Sequence, residues 1–229
     1  MCGRFSFFTP REEWKEFTKQ SLGRPVVAPE SRQPRYNIAP GQKVQVYEPQ
    51  IDEGYLTEME WGFRPVYADD RNDYLINARA EKVSSSSTWK KAFKNNRCLI
   101  PTSGFYEWTE DDGVNRPYIF TRPEREPYFM AGLYRNWTPD HSQTTLSGGT
   151  RGGSITGIAV ITTQPDDLVE RYHDRMPVIV SGDQTTDYLR DLDSALGCLE
   201  SEGSVELDAN PVSLDLNDPS NDSSSVLEA

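Results

Sequence analysis

The segment RCLIPTSGFYEW, residues 97–108, predicts β-structure in the middle of the chain. It opens with a strand at 97–100, and Glu107 stands between Tyr106 and Trp108 in an otherwise apolar strand. A carboxyl group among aromatic rings tends to have a raised pKa, which suits a general acid. Strand alternation gives a simpler interpretation, in which Glu107 points to solvent between two inward rings. Spacing alone favours this simpler interpretation.

The rest of the chain predicts further short strands and few helices. Strands are predicted at residues 44–47, 58–62, 118–121, 128–133, 155–162 and 178–180. Helices are predicted from Thr9 and Pro10 onward, and at residues 87–94, 164–172 and 187–198. This pattern predicts an α+β fold, a single domain with a curled, largely antiparallel, barrel-like β-sheet core flanked by short helices.

Two polar stretches and the end of the chain are predicted to lie outside these elements. Residues 20–42 are expected to form an ordered loop, and residues 141–154 a mobile surface loop that exposes His141. Residues 221–229, NDSSSVLEA, are expected to form a disordered acidic tail behind a domain at 1–220.

The charge of the chain is distributed unevenly. Residues 1–100 carry 16 Lys and Arg against 13 Asp and Glu, whereas residues 183–229 carry 1 against 12. The net charge of −12 is therefore concentrated at the C-terminal end and does not exclude nucleic acid as a partner of the rest. Acidic composition with only 7 lysines suggests solubility at high salt, which weakens attraction to phosphate. A DNA-binding function would then depend on geometry, stacking or covalent chemistry.

Several classes of protein do not fit this sequence. It contains no run of 18 apolar residues that would span a membrane, and its start lacks the pattern of a secretion signal. Its three cysteines have no metal-type spacing, and two histidines are too few for a multi-histidine site. We therefore expect no metal and no cofactor, no membrane partner, and a cytoplasmic protein with reduced cysteines.

Cys2 follows an initiator methionine, and removal of Met1 would leave a terminal amine beside a thiol. With reference pKa values of about 8 and about 8.5, a large share of the amine is neutral at physiological pH. An amine attacks an aldehyde to form an imine, and an adjacent thiol can close that imine to a thiazolidine. Met-Cys-Gly also opens N-terminal-nucleophile amidotransferases, although these usually continue with an apolar residue where this chain has Arg4. The plainest alternative is a small buried residue at position 2.

His173 is the second candidate for chemistry, within ERYHDRMPVIV at 170–180. It follows a predicted helix and precedes a strand, a junction from which a side chain can enter a cleft. Its ordinary pKa suits proton transfer near neutrality, although a lone histidine is more often a structural hydrogen-bonding group.

Polar and aromatic residues suitable for nucleic acid are frequent in the first half of the chain. Asn77, Arg79 and Glu81 share one face of an extended segment at 76–83, where Arg79 could hold a phosphate. Further cations and rings make the mixture that single-strand binders use: Arg4, Arg35, Lys90, Lys91, Lys94 and Arg97, with Trp61, Tyr67, Trp89 and Trp108. Aromatic rings are more often core residues, so at least two of these four are expected to be buried.

Six of these segments together resemble the SRAP family of SOS-response-associated peptidases. The matching blocks are MCGRF at 1–5, RYNIAPGQ at 35–42, WGFRP at 61–65, NARAE at 77–81, RCLIPTSGFYEW at 97–108 and ITTQPDDLVERYHDRMPVIV at 161–180. Each block is weak alone, but the set occurs in the family order over residues 1–180.

The resemblance implies covalent capture of abasic sites in single-stranded DNA during the DNA-damage response, which shields them from strand cleavage. It implies Cys2 as the nucleophile within a site formed by Asn77, Glu107 and His173. It implies DNA contacts by Arg4, Asn37, Pro40, Trp61, Tyr67, Arg79 and Trp108. The expected partner is single-stranded DNA with abasic sites, bound by a monomer at the nucleoid.

The chain also departs from the family pattern. Tyr67 stands where the family often has tryptophan, the segment KNNRC before the central strand is less basic than usual, and residues 211–221 match only loosely. Two alternative functions stay open at this point. One is a cysteine peptidase that uses Cys2 and His173, with removal of its own Met1 as the narrowest case, and the other is a non-catalytic module for single strands.

Overall fold

A computed structural model describes residues 2–49, 51, 54–111, 113–138, 154–182, 184–200 and 205–229. Its strands are β1 Phe5–Phe7, β2 Arg35–Ile38, β3 Lys43–Val46, β4 Thr57–Trp61, β5 Asn77–Arg79, β6 Arg97–Thr102, β7 Gly104–Asp111, β8 Val114–Thr121, β9 Tyr128–Trp137, β10 Ile155–Thr163, β11 Met176–Pro177, β12 Ile179–Val180 and β13 Asp208–Pro211. Its α-helices are α1 Arg11–Leu22, α2 Ala80–Val83, α3 Lys90–Asn95, α4 Gln184–Arg190 and α5 Leu192–Glu200. His141 and nearly all of the loop predicted at 141–154 lie outside the described residues.

These strands form two sheets. Sheet one has the order β13-β8-β7-β1-β2 and is antiparallel throughout. Sheet two has the order β12-β9-β10-β4-β3, with β5 and β11 also paired to β10 and β6 paired to β9. Only the pairs of β10 with β4 and with β5 are parallel among the described strands. The predicted α+β, largely antiparallel fold is confirmed, but the barrel-like closure is wrong, because both sheets stay open.

The two sheets meet at a corner formed by Thr102, Ser103 and Gly104, where the chain leaves β6 and enters β7. The Ser103 hydroxyl accepts hydrogen bonds from the backbone amides of Phe8 (3.0 Å) and Thr9 (3.1 Å). A side chain at Gly104 would place its Cβ 2.9 Å from the carbonyl oxygen of residue 120 on β8. The corner therefore needs a buried hydroxyl followed by a residue without a side chain. The Ser103 hydroxyl and Gly104 together hold β1 and the residues before α1 in place where the two sheets meet.

Two helices differ from their prediction because aspartates cap shorter elements. At 164–172 the Asp166 carboxylate accepts hydrogen bonds from the amides of residues 168 and 169, and only the 3₁₀ turn Val169–Arg171 follows. The helix predicted at 187–198 is divided into α4 and α5 at Asp191, whose carboxylate accepts from the Ser194 amide.

The predicted loop at 20–42 contains strand β2, which pairs with β1. The tail predicted to be disordered from residue 221 instead contains the 3₁₀ turn Ser224–Leu227. Val226 is buried there against Tyr106 and Leu216, and the Asp222 carboxylate accepts hydrogen bonds from two amides of β2. The physical reason is that one apolar residue and one aspartate have specific partners, which composition does not reveal. No helix among the described residues is long and apolar enough to cross a membrane.

Gly157 on β10 lies close to the backbone of Gly62, the residue that follows β4. A Cβ at this buried position would lie 2.1 Å from the carbonyl oxygen of Gly62, so Gly157→Ala should lower the free energy of unfolding by about 1–3 kcal/mol or more. The matched control is Gly197→Ala in α5, whose Cβ would contact nothing and should stabilise the protein by about 0.5–1 kcal/mol. Urea denaturation measures both, and equal effects would contradict the packing described here.

Candidate functional site

Cys2 lies buried immediately before β1 and is held by Asn77. The Asn77 side-chain amide donates a hydrogen bond of 2.9 Å to the Cys2 carbonyl oxygen. Asn77 is itself fixed, because it begins β5 and pairs with Val160 of β10. Its Oδ1 is buried and has no hydrogen-bond partner within the described part of the chain. This oxygen is therefore available to accept a hydrogen bond from a group that enters the site.

The sheet register brings Cys2 and Glu107 together. Phe5 of β1 pairs with Phe105 of β7, and the Tyr106 amide donates to the Arg4 carbonyl (3.0 Å). Continuing this antiparallel register places residue 3 opposite Glu107. Burial raises the pKa of the Cys2 thiol far above its usual range, and the nearby Glu107 carboxylate acts in the same direction. The thiol is therefore neutral at physiological pH while it is enclosed in this way.

Glu107 faces the interior and not solvent, so the simpler interpretation that spacing favoured is wrong. Its exposed fraction is 3%, and burial raises the pKa of the carboxyl group to about 8. The negative charge of Asp174 acts in the same direction. The group consequently carries a proton at neutral pH and can donate it to a leaving oxygen.

His173 follows the turn Val169–Arg171 and lies on the same side as Glu107. Tyr118, the residue opposite Glu107 on β8, packs its ring 4.8 Å from that of Tyr172. A cavity of about 340 Å³ opens here, lined by residues 164, 165 and 170–174. His173 lines this cavity, in the segment between the 3₁₀ turn Val169–Arg171 and β11.

The His173 ring has partners for either charge state. Its Nδ1 accepts a hydrogen bond from the Arg175 amide (3.0 Å), and the Asp174 carboxylate lies 2.9 Å from the same nitrogen. Partial burial lowers the pKa of the ring, so the neutral form prevails at physiological pH. A proton that the ring gains would be stabilised by Asp174, which makes reversible proton transfer plausible in energetic terms.

Arg4 and Asn37, two of the predicted DNA contacts, form a single hydrogen-bonded group. The Arg4 guanidinium donates to the Asn37 side chain and to the Leu216 carbonyl (2.8 Å). The Asn37 amide donates to the carbonyl oxygens of residues 216, 218 and 221. Asn37 is buried and its polar atoms are occupied by the C-terminal segment. No sequence motif indicates these hydrogen bonds, because most of their acceptors are backbone carbonyl oxygens.

The four aromatic candidates divide evenly. Trp61 and Trp89 are buried, which confirms that at least two of the four are core residues. The Trp61 indole donates to the carbonyl of Ile76 (3.0 Å), next to Asn77. Tyr67 is 62% exposed, whereas Trp108 is half-buried with its indole on the side chain of residue 217 (2.7 Å).

The predicted cations also differ in what they can reach. Arg97 is buried and donates to backbone carbonyls of residues 93, 94, 188 and 189. Arg35 pairs with the Asp222 carboxylate, while Arg79 is exposed and Pro40 is half-buried. Three exposed lysines of α3 remain accessible: Lys90, Lys91 and Lys94.

Sequence reasoning missed the partner of Glu81. The Arg175 guanidinium donates to both carboxylate oxygens of Glu81, at 2.7 and 3.0 Å, and also to the Thr162 carbonyl. These hydrogen bonds hold the pKa of Glu81 below its usual range. Residues 79 and 177 pair with opposite edges of β10 at Thr162, so this ion pair joins the two flanks of the site. The one sequence signal for this ion pair was that Glu81 and Arg175 both lie in segments that match the family pattern.

The fold defines an α+β domain of two open, largely antiparallel sheets, in which Asn77 binds the Cys2 carbonyl and Glu107 lies near the Cys2 thiol. The chain belongs to the SRAP family, since the family model for SOS response associated peptidase (SRAP) matches residues 1–219. No cluster of His, Cys, Asp or Glu that could hold a metal ion occurs among the described residues.

Two named relatives and one solved structure are similar along most or all of the chain. Abasic site processing protein YoqW of Bacillus subtilis (strain 168) is 30% identical, and the match covers 100% of both chains. Abasic site processing protein YedK of Escherichia coli (strain K12) is 27% identical over 83% of this chain and 80% of its own length. A crystal structure of a protein from Bacteroides thetaiotaomicron aligns with a TM-score of 0.77 at 18% identity, covering both chains completely. That last likeness shows the fold alone.

The raised pKa of Glu107 predicts a pH-dependent stability. The folded protein keeps this proton up to about pH 8, whereas the unfolded chain loses it near 4.5, so the free energy of unfolding should fall as pH rises between these values. This decrease in the free energy of unfolding is on the order of a few kcal/mol, and it should be absent in Glu107→Gln. Urea denaturation at several pH values measures this. Glu110→Gln, at an exposed position of the same strand, is the control and should keep the wild-type slope.

Proposed function

We propose that this protein captures abasic sites in single-stranded DNA covalently, through the amine and thiol of Cys2 after Met1 is removed. It would act as a monomer in the cytoplasm, at the nucleoid, in the response to DNA damage. The hydrogen bond from Asn77 to the Cys2 carbonyl carries this proposal, because it holds the nucleophilic residue by its backbone. This contact uses neither the amine nor the thiol of Cys2. The names of the relatives, abasic site processing proteins, support the choice of substrate.

The first chemical step is the formation of an imine. An abasic deoxyribose is in equilibrium with its open-chain aldehyde, and the neutral Cys2 amine attacks the aldehyde carbon. The carbinolamine that forms must lose its hydroxyl group as water, and this requires a proton. We assign this proton to the carboxyl group of Glu107, whose pKa of about 8 keeps it protonated at neutral pH.

The second step closes the ring. The Cys2 sulfur adds to the imine carbon, its proton is transferred to a base, and the imine nitrogen becomes an amine. Neutral His173 is the group that accepts and relays this proton. Because the thiol pKa is raised, the amine is the first nucleophile and the thiol the second. The product is a thiazolidine, which is more stable than the imine.

The DNA contacts fall into four roles. Arg79 is exposed, and we assign it and the clamped guanidinium of Arg4 to phosphates. Tyr67, with the partly exposed Trp108, would stack on bases. Two of the predicted contacts are buried and would act through their neighbours. Asn37 accepts a hydrogen bond from Arg4, and Trp61 donates one to the backbone just before Asn77. Pro40 would line the lesion from the turn after β2.

A peptidase that uses a thiolate is less well supported. A Cys–His pair needs a lowered thiol pKa, and burial here raises that of Cys2. A non-catalytic module for single strands would leave the start Met-Cys-Gly unexplained.

Substitution of Cys2 separates the two covalent steps. Wild-type protein, shown by intact mass to lack Met1, should give a band with abasic single-stranded DNA that survives a denaturing gel. Cys2→Ala and Cys2→Ser keep the amine, so they should form an imine that survives only after reduction with borohydride. Cys198→Ala removes a partly buried thiol elsewhere and should behave as wild type. An unreduced band of wild-type yield from Cys2→Ala would refute the thiazolidine.

A further inference from the structure

Arg64 is a buried cation whose charge is used inside the fold. Its exposed fraction is 1%, and it begins a loop of residues 64–74, which we call the Arg64 loop. The loop is closed at its base by two backbone hydrogen bonds between Phe63 and Leu75, of 2.9 and 2.8 Å. Two residues later, Asn77 begins β5 and holds Cys2. The loop is therefore attached directly to the proposed active site.

The guanidinium of Arg64 fills the interior of this loop. It donates to the Gly62 carbonyl (2.8 Å), to the Arg71 carbonyl (2.7 Å) and to the Glu60 carboxylate (2.5 Å). Each of its three nitrogens thus has an acceptor, which is the condition for placing a charge in the interior. The hydrogen bonds join the base of the loop, its far side and strand β4.

Two aromatic rings enclose the same guanidinium. Its Cζ lies 5.4 Å from the ring centre of Tyr74 and 5.8 Å from that of Trp137, within the range of cation–π attraction. The Trp137 indole also donates to the Ala68 carbonyl across the loop (3.3 Å). The loop thus has a small polar and aromatic core of its own. No apolar side chain could replace Arg64 in it without leaving the buried Gly62 carbonyl and the partly buried Arg71 carbonyl without this donor.

The tip of the loop is exposed and apolar. Val66 and Tyr67 are 72% and 62% exposed, although their neighbours Pro65 and Ala68 are buried. Tyr74 packs on Gly62 and brings its hydroxyl within 3.3 Å of a Cβ placed at Gly41, so the loop also adjoins the turn that contains Pro40. A ring held outward on a rigid loop loses little conformational entropy when it stacks on a base.

We infer that Arg64 is a positioning residue for DNA, which fixes the Arg64 loop so that Tyr67 meets a base beside the lesion. The inference rests on the proposed function, because that function supplies the DNA. Arg64 touches neither the DNA nor the reacting atoms in this arrangement. Arg64 would therefore affect DNA binding only through the position of Tyr67 at the tip of the loop.

A double-mutant cycle tests this dependence. Binding is measured with single-stranded DNA that carries an unreactive tetrahydrofuran in place of the abasic sugar, so that affinity is separated from chemistry. Arg64→Met and Tyr67→Ala should each raise Kd about tenfold, within the range for loss of one base–aromatic stack. The double variant should also lie about tenfold above wild type, because the second change removes an interaction already lost. An increase of about a hundredfold would show independent effects and overturn the inference.

The matched control is Arg71→Ala, which removes an exposed guanidinium 3.9 Å from the Glu60 carboxylate but keeps the backbone carbonyl that Arg64 binds. The Kd of this variant should stay close to the wild-type value. The maximal rate of cross-linking at saturating abasic DNA should also stay at the wild-type value in Arg64→Met, since a general structural defect would lower it. If Arg64→Met does not fold, Arg64→Lys keeps the charge without the three-way fork and replaces it in the cycle.

The result is distinguishable from failure of the proposed function. If wild-type protein forms no cross-link at all, the proposed function fails whatever the cycle gives. If cross-linking occurs but Tyr67→Ala leaves Kd unchanged, the tip does not meet a base and the inference alone is wrong.

Discussion

The corner at Thr102, Ser103 and Gly104 is the constraint on which the rest of this structure depends. One buried hydroxyl joins the two sheets to the N-terminal segment, and the absence of a side chain at Gly104 allows β7 to lie against β8. Both halves of the site are set from this point. Cys2 lies just before β1, and Glu107 lies three residues beyond Gly104 on the paired strand.

Burial then determines the chemistry. The same enclosure that makes Cys2 and Glu107 part of the core raises the pKa of both groups, so that a neutral thiol and a protonated carboxyl face one another. His173 is only partly enclosed, and burial disfavours its charged form as well, which here is the cation. The site thus holds one proton donor and one acceptor at the same pH, which suits a reaction that needs both in turn.

Much of the fold could be predicted from the sequence, because strands such as those at 97–100, 128–133 and 155–162 are marked by apolar β-branched and aromatic residues. Strand β2 could not, since its residues lie in a polar segment rich in proline and are held by pairing with β1. The ordered C-terminal end was missed for a similar reason. Asp222 and Val226 are ordinary surface residues in composition, and only their partners across the fold make them structural.

The sequence by itself determined the family and the identity of the candidate groups, because ordered motif blocks depend on residue type and spacing, which the chain carries directly. The tertiary structure decided what those groups can do. It turned Glu107 inward, placed Asn37 and Trp61 in supporting positions, and enclosed Arg64 within a loop. The physical reason is that burial and hydrogen-bond partners are set by residues distant in the chain. A pattern along one strand cannot tell which of its two faces another sheet will cover.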